Sequence, residues 1–330
     1  MTSTTPSAAL EAVDLKKSYP GGRGRPRVHA LDGVSFTAEA GTIFGLLGPN
    51  GAGKSTTVKI LSTLTRPESG TATVAGIDVV RSPERVRRAI GFVAQKPVAD
   101  PGATGVENLV LAGRMQGLTA PGARARAKEL LERFSLTDAA RRLVKTYSGG
   151  MARKLDVAMG LMHRPQVLFL DEPTTGLDPE ARADMWAELE AMTRVERMTV
   201  LLTTHYLEEA DRLAQQLAIV DRGRVVAAGS PDELKGSLRG DALAIELAHD
   251  ANAEAALRAA SAVSGLRELT RDGRLLRARA DDGAAALPHA LAALDGAGVG
   301  VASATVARPS LDDVYLRHTG RSFAREEVAA

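Results

Sequence analysis

A glycine-rich loop that ends in lysine and serine is the pattern in this sequence most specific for chemistry. Its spacing is G-x-x-x-x-G-K-[ST], and it reads Gly48-Pro49-Asn50-Gly51-Ala52-Gly53-Lys54-Ser55. Glycines let successive backbone N–H groups converge on a polyphosphate without a side-chain clash. The lysine can reach the β- and γ-phosphates of a nucleotide, and the serine hydroxyl can ligate Mg²⁺. We therefore predict a phosphate-binding loop that works with Mg²⁺.

Two adjacent carboxylates, Asp171 and Glu172, follow the apolar stretch 167–170. Ligands of doubly wound sheets bind at the carboxyl ends of the strands. Asp171 is therefore placed to hold Mg²⁺, and Glu172 is placed to polarise an attacking water molecule. Acidic residues often end strands, so the pair is informative mainly because a phosphate-binding loop precedes it.

Short apolar stretches alternate with helical stretches around these residues. The stretch 43–47 predicts a buried strand ahead of the loop, and a helix is predicted to begin at about Lys54. Residues 103–145 are predicted to be mostly helical. Further strands are predicted at 90–93, 167–170, 200–203 and 217–220. This alternation predicts an α/β fold with a largely parallel, doubly wound sheet.

The pattern changes at both ends of the chain. Residues 1–8 are predicted to be a disordered tail, and 9–238 to form the nucleotide-binding domain. The accessory domain, 239–308, has the element order βαββαβ, which is typical of a ferredoxin-like domain. A hairpin turn is predicted there at Asp272-Gly273. Residues 309–330 are predicted as a helix, with Ser310 as its N-cap, and a tail.

The composition excludes several classes of function. The 330 residues include 42 basic and 40 acidic side chains, so the net charge of +2 gives no broad electrostatic reason to bind nucleic acid. Cysteine is absent, which excludes disulfides, thiolate metal sites and a cysteine nucleophile. No apolar run approaches the roughly 18–20 residues of a membrane span, and no secretory signal is visible. We expect a cytoplasmic protein without a transmembrane segment of its own.

Several shorter motifs accompany the loop and the carboxylates in a fixed order. They include an aromatic residue near the N-terminus, a glutamine after a short strand, a Ser-Gly-Gly sequence, Gly-Leu-Asp, and a histidine after two threonines. These residues are Tyr19, Gln95, Ser148-Gly149-Gly150-Met151, Asp178 and His205. With them, residues 9–235 resemble the ATP-binding subunits of ABC transporters. Singly each motif is ambiguous, since an aromatic such as Tyr19 also occurs on exposed strands and a lone histidine is usually structural. Their joint order is specific.

The resemblance implies a role for each motif. Tyr19 would stack on adenine, and residues 48–56, which include Thr56, would bind ATP. Gln95 would sense Mg²⁺ and couple to the membrane partner, while Asp178 would lie at the dimer contact. Catalysis would rest on Lys54, Glu172 and His205, and the Mg²⁺ ligands would be Ser55, Gln95 and Asp171.

The resemblance also implies an architecture and an assembly. The fold would be a P-loop NTPase of the ABC ATPase type, with a RecA-like core, an antiparallel β subdomain, a helical signature subdomain at about 97–165, and a small α+β C-terminal domain. Two copies would close head to tail on two ATP molecules, so that Ser148, Gly149, Gly150 and Met151 of one copy face the ATP held by the other.

The signature departs from its commonest form, because Tyr147 and Met151 stand where leucine and glutamine are usual. The stretch YSGGMARKLDVA and the C-terminal LDDVYL are similar to drug exporters of the daunorubicin type. This similarity implies an ATPase that powers a drug or antibiotic exporter with a separate ABC-2-type permease, at the cytoplasmic face of the membrane.

Other functions remain open from the sequence. The same motifs would serve an exporter of lipid, polysaccharide or peptide. A soluble ABC ATPase acting on ribosomes or DNA is disfavoured by the single phosphate loop, and a non-hydrolysing module by the intact Lys54, Asp171 and Glu172. The C-terminal domain is either a passive stabiliser or a regulatory or sensing domain. The arginines at 317, 321 and 325 contact either lipid or solvent.

Overall fold

The computed structural model describes residues 8–21, 26–249, 253–321 and 323. The predicted disordered tail therefore lies outside the described residues, except for Ala8, which begins a strand, and Arg325 also lies outside them. The chain divides into two compact units, Met1–Pro231 with Arg321–Ala330, and Asp232–Gly320. Across the described part of the chain, every helix is too short or too polar to cross a membrane.

The first unit is built on a six-stranded sheet in which five neighbouring strands run parallel and one edge strand is antiparallel. In spatial order the strands are β10 (Arg224–Gly229), β9 (Gln216–Asp221), β3 (Ile43–Leu47), β8 (Thr199–Thr204), β7 (Val167–Asp171) and β6 (Ile90–Val93). Strands β3 and β8 are buried along their whole length. Burial on both faces explains their continuous apolar sequences. The predicted parallel sheet is confirmed.

A second, antiparallel sheet of four strands lies in the same unit. Its order is β2 (Val28–Glu39), β1 (Ala8–Tyr19), β4 (Ser69–Val74) and β5 (Ile77–Asp78). Leu10, Leu15 and Val34 of this sheet belong to one apolar cluster with Phe44 of β3 and Val58 of the following helix. The two sheets therefore share a core, and that core supports the loop between β3 and the helix.

Eight helices of at least six residues and one short 3₁₀ helix occur among the described residues up to 236. They are α1 (Lys54–Leu61), α2 (Pro83–Ala89), α3 (Gly105–Met115), α4 (Ala120–Arg133), the 3₁₀ helix Val144–Thr146, α5 (Gly149–Gly160), α6 (Pro179–Glu196), α7 (Leu207–Leu213) and α8 (Pro231–Gly236). Helix α1 begins at Lys54, as predicted. The helical prediction for 103–145 is confirmed by α3 and α4 but is wrong for 134–143. Helix α4 ends there because Ser135 takes a left-handed backbone conformation, with φ 55°.

The second unit contains a four-stranded antiparallel sheet in the order β12-β13-β11-β14. Its elements along the chain are β11 (Asp241–Leu247), α9 (Ala253–Ser261), β12 (Arg267–Asp272), β13 (Leu275–Ala280), α10 (Gly283–Gly296), β14 (Val301–Ala307) and α11 (Leu311–Thr319). This βαββαβ order with this strand order is the ferredoxin-like arrangement that the sequence predicts. Alternate residues of β11, such as Ile245 and Leu247, pack in a cluster with Ala290 of α10.

Helix α11 is held against β13 of the second unit by hydrogen bonds and ion pairs of its acidic first turn. Ser310 caps it in a reciprocal capping box with Asp313, which confirms the predicted N-cap. Arg277 of β13 donates to Asp312 at 2.7 Å, and the buried Arg279 lies 3.7 Å from Asp313. Because β13 turns Leu276 and Ala278 toward the clusters with α9 and α10, these arginines lie on the other face of the sheet.

Candidate functional site

The phosphate-binding loop joins β3 to α1, as its spacing predicts. Lys54 is buried, and its Nζ donates to the carbonyls of Gly48 at 2.6 Å and Pro49 at 3.1 Å. Gly51 and Gly53 have φ values of 77° and 111°, which only glycine adopts readily. The Lys54 side chain thus folds back over the loop, where its ammonium group can line a binding site for an anion.

A turn from elsewhere in the first unit supports this loop. Gly223, between β9 and β10, donates its N–H to the carbonyl of Ala52 at 2.8 Å and accepts from Asp32 N–H at 2.8 Å. Its φ is 75°, and a Cβ added there would lie 2.8 Å from the carbonyl oxygen of Ala30. Glycine is therefore required at this turn for two independent reasons, conformation and close approach.

Asp171, the last residue of β7, is hydrogen-bonded to α1, which follows the loop, and to the neighbouring strand β8. Its Oδ1 accepts from the Ser55 hydroxyl at 3.2 Å and from the Thr203 hydroxyl at 2.6 Å. Hydroxyl and carboxylate oxygens are the ligands that Mg²⁺ prefers. The side chains of Ser55 and Asp171 therefore fit the predicted Mg²⁺ role.

Glu172 is buried at the centre of the site. Its Oε2 accepts from Gln95 Nε2 at 2.9 Å and from the Thr175 hydroxyl at 3.3 Å. Its Oε1 lies 3.4 Å from His205 Nδ1 and 3.9 Å from Lys54 Nζ. The structure therefore brings three other predicted site residues, Gln95, His205 and Lys54, together around the carboxylate of Glu172.

The neighbours of Glu172 favour its ionised form. The His205 ring beside the carboxylate, followed by the Lys54 ammonium, holds the pKa of Glu172 below its ordinary value, although burial acts in the opposite direction. Glu172 is therefore a carboxylate at neutral pH and can accept a hydrogen bond from water.

Other predicted ATP-binding residues lie along the loop or at the edge of the unit. Asn50 and Gly51 are exposed, Ala52 is buried and Thr56 is half-buried at the start of α1. Tyr19 ends β1 with its ring partly exposed, and Lys17 Nζ lies 5.7 Å from the ring centroid. Adenine stacking on Tyr19 stays a prediction.

The signature and the Gly-Leu-Asp motif lie at the starts of two neighbouring helices. Ser148 caps α5 by accepting from Met151 N–H at 3.2 Å, and Asp178 caps α6 by accepting from Ala181 N–H at 2.8 Å. A Cβ added to Gly150 would lie 2.8 Å from Ala181 Cβ, so the two helix starts are in close contact. Ser148, Gly149 and Asp178 are exposed. The cap does not need glutamine at position 151, because it uses the backbone N–H of Met151.

Comparisons with known proteins agree with this geometry. A family model described as ABC transporter matches residues 31–175, and a second, the C-terminal domain of DrrA1-3-like ATP-binding proteins, matches 229–319. The daunorubicin/doxorubicin resistance ATP-binding protein DrrA of Streptomyces peucetius is 47% identical over 319 residues, which cover 96% of this chain and 94% of that protein. The chain belongs to the ABC transporter ATP-binding proteins. The resemblance that its motifs indicate is confirmed.

Two further relatives support the same family. The linearmycin resistance ATP-binding protein LnrL of Bacillus subtilis is 35% identical over 318 residues, covering 95% of this chain and 99% of that protein. A solved bacterial ABC transporter cassette, itself dimeric, is 25% identical with a TM-score of 0.61, covering 67% of this chain and 98% of that chain. The predicted ABC ATPase fold is confirmed, and this ABC protein binds and hydrolyses ATP.

Sequence reasoning missed three buried polar residues of this ABC protein. Thr203 orients Asp171 through its hydroxyl, and Glu209 of α7 accepts from Thr174 and Trp186. Arg153 of α5 donates to backbone carbonyls at the end of β7. Their only signal in the sequence is that Thr203 and Arg153 lie beside recognised motifs, because their partners are distant along the chain.

Proposed function

We propose that this chain is the ATPase subunit of a drug or antibiotic exporter whose membrane span is a separate, multi-span ABC-2-type permease. The observation that carries the proposal is similarity over nearly the whole chain, including the C-terminal unit, to proteins named for daunorubicin and linearmycin resistance. In this proposal the chain binds peripherally at the cytoplasmic face of the membrane.

The arrangement of the site supports a mechanism of ATP hydrolysis. Glu172 orients the attacking water and accepts its hydrogen bond, while Gln95 holds the carboxylate from its other oxygen. Lys54 leaves the carbonyls of its own loop to contact the phosphates, and His205 turns toward the γ-phosphate. When bound, Mg²⁺ would be held by Ser55 and Asp171, with Gln95 as the further predicted ligand, and it would neutralise part of the phosphate charge.

Two copies of the chain would complete the site. Helix α5 presents an exposed N-terminus at Ser148 and Gly149, where unpaired backbone N–H groups and the helix dipole favour an anion. Facing the ATP of a second copy, these groups would bind phosphate only in the closed dimer. ATP would then hold the dimer together, and loss of the γ-phosphate would release it.

Gly149→Asp tests this arrangement. Apart from its chain neighbours and the backbone of its own helix, no described residue lies within 4 Å of a Cβ at position 149, and a carboxylate in the first turn of a helix favours the helix. We expect ATP binding by the single chain to stay within about threefold, because the phosphate loop is untouched. Hydrolysis should fall by about 100-fold, because the new charge repels the partner's ATP. The control is Gly149→Ala, and equal turnover in the two variants would contradict the dimer proposal.

Isolation of the chain with its partner tests the transport function. We would solubilise membranes of the source organism gently, with ATP and Mg²⁺ present, and identify proteins that co-purify with the chain. A multi-span permease in about equal amount is expected. The pair would then be placed in vesicles and tested for ATP-dependent movement of daunorubicin, with the Glu172→Gln pair as control. Recovery of ribosomes or nucleic acid without a permease, or movement of a lipid or polysaccharide in place of the drug, would contradict the proposal.

A further inference from the structure

Arg153 is a buried arginine in the middle of the helix that begins with the signature. Its side chain is only 6% exposed. Among the described residues its hydrogen bonds all go to backbone carbonyls: Nε to Pro173 at 2.8 Å, Nη1 to Ala94 at 2.6 Å, and Nη2 to Asp171 at 3.1 Å and Glu172 at 3.3 Å. One guanidinium thus joins α5 to two segments that are far apart in sequence.

Burial of this guanidinium is energetically unfavourable, so a mere packing role would be better served by an apolar side chain. Burial lowers the pKa of Arg153, and the charges of Asp156, Asp171 and Glu209 act against that effect. What the arginine offers instead is a planar set of donors that can bind several carbonyls at fixed angles.

The carbonyls that Arg153 binds belong to the segments that carry Glu172 and Gln95. Glu172 has a left-handed backbone, with φ 48°, which is unfavourable for a residue with a side chain. Arg153 binds the carbonyls immediately before, at and after this residue. Its fourth acceptor, Ala94, directly precedes Gln95, whose amide donates to Glu172. The arginine therefore fixes the backbone on both sides of the Gln95–Glu172 hydrogen bond.

A second residue of α5 holds the far end of the glutamine segment. Asp156 is buried, and its Oδ1 accepts from the backbone N–H groups of Val98 and Ala99, each at 3.1 Å. Arg153 and Asp156 lie three residues apart, on one side of the helix. Helix α5 therefore holds the segment 94–99 at both ends.

We propose that Arg153 is a positioning residue that makes the geometry of Glu172 and Gln95 depend on the placement of the signature helix. Arg153 lies five residues after Ser148, about 7.5 Å along the helix axis. When the N-terminal end of α5 moves toward a second copy, the rigid helix carries Arg153 with it. Arg153 then transmits the shift to the carboxylate of Glu172, which orients the water. This inference rests on the role proposed above for Glu172.

The chain contains an optical reporter of the same region. Trp186 is its only tryptophan. Its Nε1 donates to Glu209 Oε1 at 3.0 Å, and the same oxygen accepts from the Thr174 hydroxyl at 2.8 Å. Thr174 follows Pro173, whose carbonyl Arg153 binds. A change in the backbone at Pro173 should therefore alter Trp186 emission.

The test compares Arg153→Gln, Arg153→Lys and the control Lys154→Gln in the full chain. Lys154 is the next residue on α5 and pairs with Asp184 at 2.9 Å. We expect Arg153→Gln to lower kcat for ATP hydrolysis by about 100-fold, as small misplacements of catalytic groups do. KM and the Kd for ATP should stay within about threefold. Trp186 emission should shift, and its response to ATP should be lost.

Arg153→Lys keeps the charge and part of the hydrogen bonding, so its kcat should fall by only about tenfold, between that of Arg153→Gln and the control. Retention of kcat in Arg153→Gln, or a parallel loss of kcat and ATP affinity, would overturn the proposal. Should Arg153→Gln fail to fold, the split between kcat and KM in Arg153→Lys decides the question. Glu172→Gln is measured alongside, because normal turnover in that variant would refute the role of Glu172 separately.

Discussion

Glu172→Gln is expected to lower kcat for ATP hydrolysis by about 10²- to 10⁴-fold, the usual contribution of a general base. The substitution keeps the shape of the side chain and an oxygen that can accept from Gln95. It removes the negative charge that His205 and Lys54 stabilise and that must orient water. Because the pKa of Glu172 is lowered, the wild-type carboxylate is ionised over the whole neutral range, and the loss should not depend on pH there.

ATP should still bind to the Glu172→Gln variant. Because the bound ATP is not hydrolysed, a long-lived ATP-bound dimer should accumulate. Steady-state phosphate release measures the loss of kcat, and size-exclusion chromatography with Mg²⁺ and ATP measures the accumulation of the dimer. Glu84→Gln, an exposed change in the first turn of α2, is the matched control. Near-normal turnover of Glu172→Gln would remove this residue from the water-orienting role.

Lys54→Ala is expected to weaken ATP binding by about 10- to 150-fold, the range for loss of a hydrogen bond to a charged group. Lys54 Nζ donates to two carbonyls of the loop, so its charge lies beside the proposed phosphate site and can move from these carbonyls to the ligand. Calorimetric titration with ATP measures the effect. The control is Lys59→Ala, which removes an exposed ammonium from the same helix. Unchanged affinity in Lys54→Ala, with a melting temperature close to wild type, would contradict the phosphate-loop assignment.

The parts of this protein that the sequence predicts correctly are those whose signal is local. The placement of residues 48–53 between β3 and α1 follows from a pattern of consecutive residues. The buried strands are continuous apolar stretches because both faces of the sheet are covered. The sequence does not predict the end of α4 within 103–145. Ser135 has a left-handed φ there, and serine as a residue type does not indicate that conformation. The cap at Ser310 follows from residue type and spacing.

Contacts between distant segments could not be predicted in the same way. Arg153 is 59 residues from Ala94 and 20 from Pro173, and a charged residue on a helix is ordinarily exposed. Thr203 likewise precedes the motif histidine without any sign that its hydroxyl binds Asp171. These residues act through acceptors that the fold brings near them, so their importance emerges only in three dimensions.

Gly223 carries a consequence for the genetics of such an exporter. It is a turn residue outside every nucleotide-binding motif, yet its N–H donates to the carbonyl of Ala52, and a Cβ added to it would lie 2.8 Å from the carbonyl oxygen of Ala30. Any allele that places a side chain there must displace the phosphate loop or the strand beside it. Null alleles selected for loss of resistance should therefore arise at codon 223 as well as in the motifs, and a survey confined to the motifs would miss them.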